Sequence, residues 1–117
     1  MKISWIMSSF DIIVGMIEKA KSQPAVMEQV KGPSKTFQIS PSDSDHYYVV
    51  VGEGNISVSK GDGTSPAATI SATDSLLSDI FSGKADAISA FMSGKLKVSG
   101  DIFGAQKLTD IMKKAGK

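Results

Sequence analysis

An α+β fold is predicted for this chain: a five-stranded, mostly antiparallel sheet covered on one face by about five helices. Three observations predict it. Apolar residues recur at three- and four-residue steps early in the chain, alternate singly through its middle, and return to helical steps after Thr73. Runs of strands followed by helices argue for a layered α+β structure. At 117 residues, with 41% apolar and 21% charged side chains, residues 1–117 read as one domain large enough to bury a core without disulfide or metal staples.

The elements follow in order. Ile3, Ile6, Phe10, Ile13, Ile17 and Ala20 form one helical stripe, and Trp5, Ile12 and Met16 widen it. Pro24 suits the first turn of a short helix running from Ala25 to Val30, closed by Gly32-Pro33. Phe37 and Ile39 alternate with Lys35, Gln38 and Ser40 as a half-buried strand. Pro41 to Asp45 is a polar loop. His46 to Val51 is aromatic and β-branched, and with Ile56 and Val58 it forms a hairpin around Gly52-Glu53-Gly54-Asn55. After a glycine-rich loop, Ala68, Ile70 and Ala72 make a fourth strand whose small residues leave space above that face.

Thr73 or Asp74 caps the next helix, Leu76, Leu77, Ile80 and Phe81 face inward, and Gly83 ends it. Asp86 opens another helix, with Ile88, Phe91 and Met92 inward and Gly94 at its end. Leu96 and Val98 alternate with Lys95, Lys97 and Ser99 as a fifth strand. Asp101 caps the last helix. Ile102, Ala105, Leu108, Ile111 and Met112 form its inner face, Phe103 lies at the margin, and Lys113 and Lys114 suit its negative end.

Composition excludes several functions. The net charge is +1 and every basic residue is a lysine, so forked arginine contacts to phosphates and bases are absent and no nucleic-acid partner is expected. There is no cysteine, hence no disulfide, thiolate zinc site or cysteine nucleophile. His46 is the one histidine, beside Asp43 and Asp45, with no further ligands at metal spacing. No Gly-x-Ser-x-Gly elbow accompanies the many serines, and Gly61-Asp62-Gly63 lacks the context of a phosphate loop. No metal, cofactor or catalytic residue is expected. Met1 to Ile17 is interrupted by Asp11 and followed by no small-residue cleavage site, and the tail lacks Ser-Lys-Leu, so the expected compartment is the cytoplasm. Lys84, Lys95 and Lys97 suit a solvated face or a weak dock for anionic headgroups.

Gly83, Ala90-Phe91, Gly94-Lys95-Leu96-Lys97-Val98, Gly100-Asp101 and Ala105-Gln106-Lys107-Leu108 form an ordered, glycine-punctuated block. It resembles the sterol carrier protein type 2 family of lipid-binding domains, and the element order matches along nearly the whole chain. The resemblance implies an apolar tunnel between sheet and helices. It also implies binding of a fatty acid, fatty acyl-coenzyme A, phospholipid or sterol without covalent chemistry. On the matching positions it implies a lining of Phe81, Phe91, Met92, Leu96, Ile102 and Leu108. Phe103, Ile111 and Met112 join them from helical position. The chain departs from the family in having Tyr47-Tyr48 where a tryptophan is frequent.

The reading is therefore a non-catalytic lipid carrier, with the last helix as wall and lid, transient membrane contact, and a monomer or weak dimer. Its rival is an interaction or accessory module whose apolar groove takes a partner or presents substrate to a separate enzyme.

Overall fold

The computed structural model describes residues 8–115. Its helices are α1 (Ser9–Lys21), α2 (Pro24–Met27), α3 (Asp74–Ser82), α4 (Ala87–Met92) and α5 (Ile102–Ala115), with a 3-10 turn at Glu28–Val30. Its strands are β1 (Lys35–Pro41), β2 (Tyr47–Gly52), β3 (Asn55–Lys60), β4 (Ala68–Ala72) and β5 (Lys97–Gly100). The expected order of elements is the observed one.

The five strands lie in the order β3-β2-β1-β4-β5. β1 and β4 run parallel, and the other three pairings are antiparallel. Phe37 stands opposite Val49 and Ile39 opposite Tyr47, so the apolar halves of both strands share one face. That face buries Phe37, Ile39, Tyr47, Val49, Ile56, Ala68 and Ile70 against the helices.

The reverse face is polar. Gln38 is buried there and its amide is fully used. Its Nε2 donates to the carbonyls of Tyr47 (3.1 Å) and Gly61 (3.2 Å), and its Oε1 accepts from the Gly63 N–H (2.7 Å). This pins the glycine loop onto the sheet so closely that a Cβ on Gly63 would lie 2.8 Å from Thr36 Cγ2.

Local signals place the helices. Ser8 caps α1, accepting from the Asp11 N–H, while the Asp11 carboxylate accepts from the Ser8 N–H at 3.3 Å. The sequence pattern also predicts Ile3 and Ile6 in the stripe, with Trp5 widening it. The described helix begins at Ser9, and those three positions lie outside the described residues. Thr73, rather than Asp74, caps α3, and Gly83 closes it in the left-handed conformation. Asp86 caps α4, and Asp101 accepts from the Gly104 N–H at 2.9 Å in the first turn of α5. Gly100 has φ +90°, and a Cβ there would lie 2.4 Å from the Ala67 carbonyl oxygen, so the Gly100-Asp101 pair requires its glycine.

A buried polar chain ties three elements together. The Tyr47 hydroxyl and Ser9 Oγ are 2.6 Å apart, and Ser9 Oγ donates to Asp74 Oδ1 at 2.6 Å. The Ser9 N–H also donates to the Asp74 carboxylate at 3.1 Å. Asp74 thus serves the first turn of α1 from the first turn of α3, where negative charge is favoured at both helix starts. Burial pushes the Tyr47 hydroxyl pKa well above its ordinary value, and the Asp74 charge adds to that.

Candidate functional site

The last helix divides the apolar surface above the sheet. Ala105, Leu108, Met112 and Ala115 are buried along its centre line. Each flank borders a cleft.

The first cleft, of about 200 Å³, lies between α4, α5 and the β4–β5 edge. Ile70 and Val98 stand directly opposite each other across β4 and β5 and both line it. Ala87, Ile88 and Phe91 line it from α4, Leu96 from the turn before β5, and Ile102, Ala105, Gln106 and Thr109 from α5. The Thr109 hydroxyl donates to the Gln106 carbonyl at 2.8 Å, so that polar group is satisfied within the helix. No titratable side chain lines this cleft.

The second cleft, of about 210 Å³, lies on the other flank of α5, which contributes Gly104, Lys107, Leu108 and Ile111. Its other side is built from the Gln29–Pro33 segment, Lys35 and Phe37 of β1, and Val51-Gly52 of β2. It is more polar: Lys107 borders it, as does Lys35, which is ion-paired with Asp101 at 3.0 Å.

The nine residues expected as lining are not brought together. Phe91, Leu96 and Ile102 line the first cleft. Leu108 and Ile111 are 1% exposed and border the second. Phe81 and Met112 are buried in the core and line neither. Met92 and Phe103 line neither cleft and are 81% and 84% exposed.

The reasons are geometric. Ala90 is the buried anchor of α4, and Met92 is a further turn of about 100° round from Phe91, beyond the cleft-facing side. Phe103 precedes Met112 by about two and a half turns, which puts it on the far side of α5. Ile88 and Ile102 are not fully inward either. They are half-exposed at the cleft margin.

Sequence reasoning missed Ala87, Gln106, Thr109 and the second cleft. The spacing of Ile102, Ala105, Gln106 and Thr109 marks a second face on α5, and that signal was present. His46 pairs with Asp62 at 3.1 Å on the exposed surface and lines neither of the two clefts, and no group of metal-ligating side chains forms among the described residues. No helix among them is long and apolar enough to cross a membrane.

The SCP-2 sterol transfer family matches this chain over residues 15–113. Peroxisomal multifunctional enzyme A of Dictyostelium discoideum is 46% identical over 61 residues, which is 52% of this chain and only 14% of that enzyme's length. Among solved structures, the UbiJ-SCP2 ubiquinone synthesis protein has a TM-score of 0.74 at 20% identity, covering 92% of this chain and 94% of its own. Sterol carrier protein domain 2 of Helicoverpa armigera has a TM-score of 0.64 at 27% identity, covering 93% and 89%. Palmitated SCP2L2 from Aedes aegypti has a TM-score of 0.68 at 21% identity, covering 91% and 95%. The mixed fold with its five-stranded sheet is the fold of these neighbours.

Proposed function

The chain belongs to the SCP-2 sterol transfer family, and from that premise we propose that it is a single-domain, non-catalytic lipid carrier. The acyl chain would lie in the cleft between α4, α5 and the β4–β5 pair. The observation that carries this reading is the lining. Ile70, Ala87, Ile88, Phe91, Leu96, Val98, Ile102 and Ala105 are apolar, and only Gln106 and Thr109 bring polar atoms. Such a surface favours a ligand by desolvation and offers no nucleophile, acid or base.

A long-chain fatty acid is the first ligand to try, since the Aedes aegypti neighbour is palmitated. Acyl-coenzyme A, a phospholipid and a sterol are the other candidates. In this proposal α5 is both wall and lid. Its outward movement would join the two clefts into one tunnel, bringing Leu108 and Ile111 into the lining and exposing the core side chains Phe81 and Met112. The cytoplasm is the proposed compartment, and the peroxisomal relative makes the peroxisome its competitor. Imaging the native protein separates them.

Competition of a saturated fatty-acid series against a fluorescent fatty acid tests the reading. Each methylene that enters the cleft contributes about 0.8 kcal/mol, so affinity should rise about fourfold per carbon until the cleft is full and then level off. A Phe side chain in place of Ala87 should narrow the mouth and weaken every member of the series. No dependence on chain length in the parent protein would refute the proposal.

A second reading has its own observation. The Dictyostelium discoideum relative is a multifunctional enzyme of which the matched stretch is a small part. The chain would then present a lipid substrate to a separate enzyme, and the same cleft would serve.

A further inference from the structure

Every large apolar side chain that is exposed among the described residues falls in one stretch of chain. Ile88 is 49% exposed, Phe91 41%, Met92 81%, Ile102 45% and Phe103 84%. Chance would scatter such residues over the surface. Here they sit on α4 and the first turn of α5. Ile88, Phe91 and Ile102 line the first cleft, and Met92 and Phe103 are the chain neighbours of Phe91 and Ile102.

The charges beside these residues are two basic ones and one acidic one, Asp86. Lys84 stands in the turn before α4 and Lys95 in the turn after it, both exposed. Neither forms an ion pair among the described residues. The acidic residue between them, Asp86, is occupied as a helix cap by the Ser89 N–H and hydroxyl, both at 2.9 Å, and Lys113 of α5 acts on it from outside. Lys97 belongs to the opposite face of the edge strand, because Val98 is the residue turned to the cleft.

We infer that the α4 surface and the first turn of α5 form a docking surface for an anionic phospholipid bilayer. Met92 and Phe103 enter the headgroup boundary, and Lys84 and Lys95 lie against the lipid phosphates. Large apolar side chains beside basic ones are what an interfacial membrane surface needs. A second copy of the chain fits less well. A two-fold contact sets the same patch against itself, so a surface with Lys84 and Lys95 against the single carboxylate of Asp86 would meet its own net positive charge. The inference rests on the carrier reading for its purpose: the cleft mouth would open onto the bilayer, and an acyl chain would enter without crossing water.

The test uses vesicles of phosphatidylcholine and phosphatidylserine in equal parts, with pure phosphatidylcholine as comparison. The parent protein should cosediment with the mixed vesicles, less so with the neutral ones, and should be released by salt. The double variant Met92→Ser/Phe103→Ser should lose more than about tenfold in partitioning. Lys84→Gln and Lys95→Gln should each lose about fivefold on mixed vesicles only.

Met92 and Phe103 line neither cleft and touch the core least. Circular dichroism and affinity for a soluble fluorescent fatty acid should therefore stay at parent values in the double variant. If the parent ignores anionic vesicles, or the serine variant binds them as well as the parent, the docking surface is refuted. It is equally refuted if the parent is a dimer in sedimentation that Met92→Ser/Phe103→Ser converts to monomer, because the patch is then a self-contact. If the parent binds vesicles through these residues but takes up no fatty acid, the docking surface stands and the carrier reading falls.

Discussion

The Tyr47–Ser9–Asp74 chain makes a quantitative prediction, because its two hydroxyl deletions are not equivalent. Tyr47→Phe removes one bond of 2.6 Å. It leaves no orphaned donor, since Ser9 Oγ still donates to Asp74. Its cost should be near the ordinary net worth of a hydrogen bond, about 1 kcal/mol. Ser9→Ala deletes the middle of the chain. The Tyr47 hydroxyl, on a residue 1% exposed, is then buried without a partner, and a charge-assisted bond to Asp74 is lost as well. Those two terms together come to roughly 3 kcal/mol.

The double variant has no orphaned hydroxyl. It should cost less than the sum of the singles, by about 1–2 kcal/mol. Urea unfolding followed by circular dichroism gives all three values. The thermal midpoint should fall by roughly 4 °C for each kcal/mol. Burial raises the Tyr47 pKa, so the unfolded chain loses this proton first as pH rises. The tyrosine's contribution is therefore whole below about pH 10 and is lost as pH climbs above it. Tyr47→Phe should remove that alkaline loss. Strict additivity of the two singles, within about 0.5 kcal/mol, would mean that the hydroxyls are not partners in solution and would refute the reasoning.

Three further outcomes are expected. The Asp101 carboxyl is held below its usual range by the Gly104 N–H and then by Lys35, and that of Asp86 by the Ser89 N–H and hydroxyl. Stability from both is present above about pH 4 and is lost as pH falls through the lowered values, so acid titration of Asp86→Asn/Asp101→Asn should show a shallower decline than the parent. Gln38→Leu breaks three hydrogen bonds under the Gly61–Gly63 loop and should cost about 2–4 kcal/mol in urea unfolding, with the Gly63 amide losing its protection from hydrogen exchange. Gly100→Ala forces a Cβ onto the Ala67 carbonyl at φ +90° and should destabilise by roughly 3 kcal/mol, whereas Gly15→Ala meets nothing within 4 Å and should be neutral or stabilising.

The periodicity of the chain carried the fold well, because each long element had enough positions to set its phase. Ile13, Ile17 and Ala20 are buried as their spacing requires, and so are Leu108, Ile111 and Met112. Short elements lacked that redundancy. Six residues of α4 cannot say whether Phe91 or Met92 faces inward, and one buried alanine decided it. Ile102 and Phe103 sit in the first turn of α5 and are both exposed. The Ser8-x-x-Asp11 capping box is a sequence signal that marks the start of α1 within the longer apolar stripe. The site itself was legible as apolar surface but not as two clefts. Which flank of α5 a residue borders depends on the rotation of that helix over the sheet, and rotation is set by contacts with α1, α3 and β4 that no single element encodes.

The two clefts differ in how they are stitched from the chain. All the side chains around the apolar one belong to the continuous stretch 70–109, whereas the other joins positions 29–52 to positions 104–111. Substitutions within one segment can therefore reshape the apolar cleft and retune which hydrocarbon it prefers, while the hairpin half of the sheet keeps its pairing. The second cleft has no such independence. Its walls meet only when the early and late parts of the chain are docked, so its integrity reports their union.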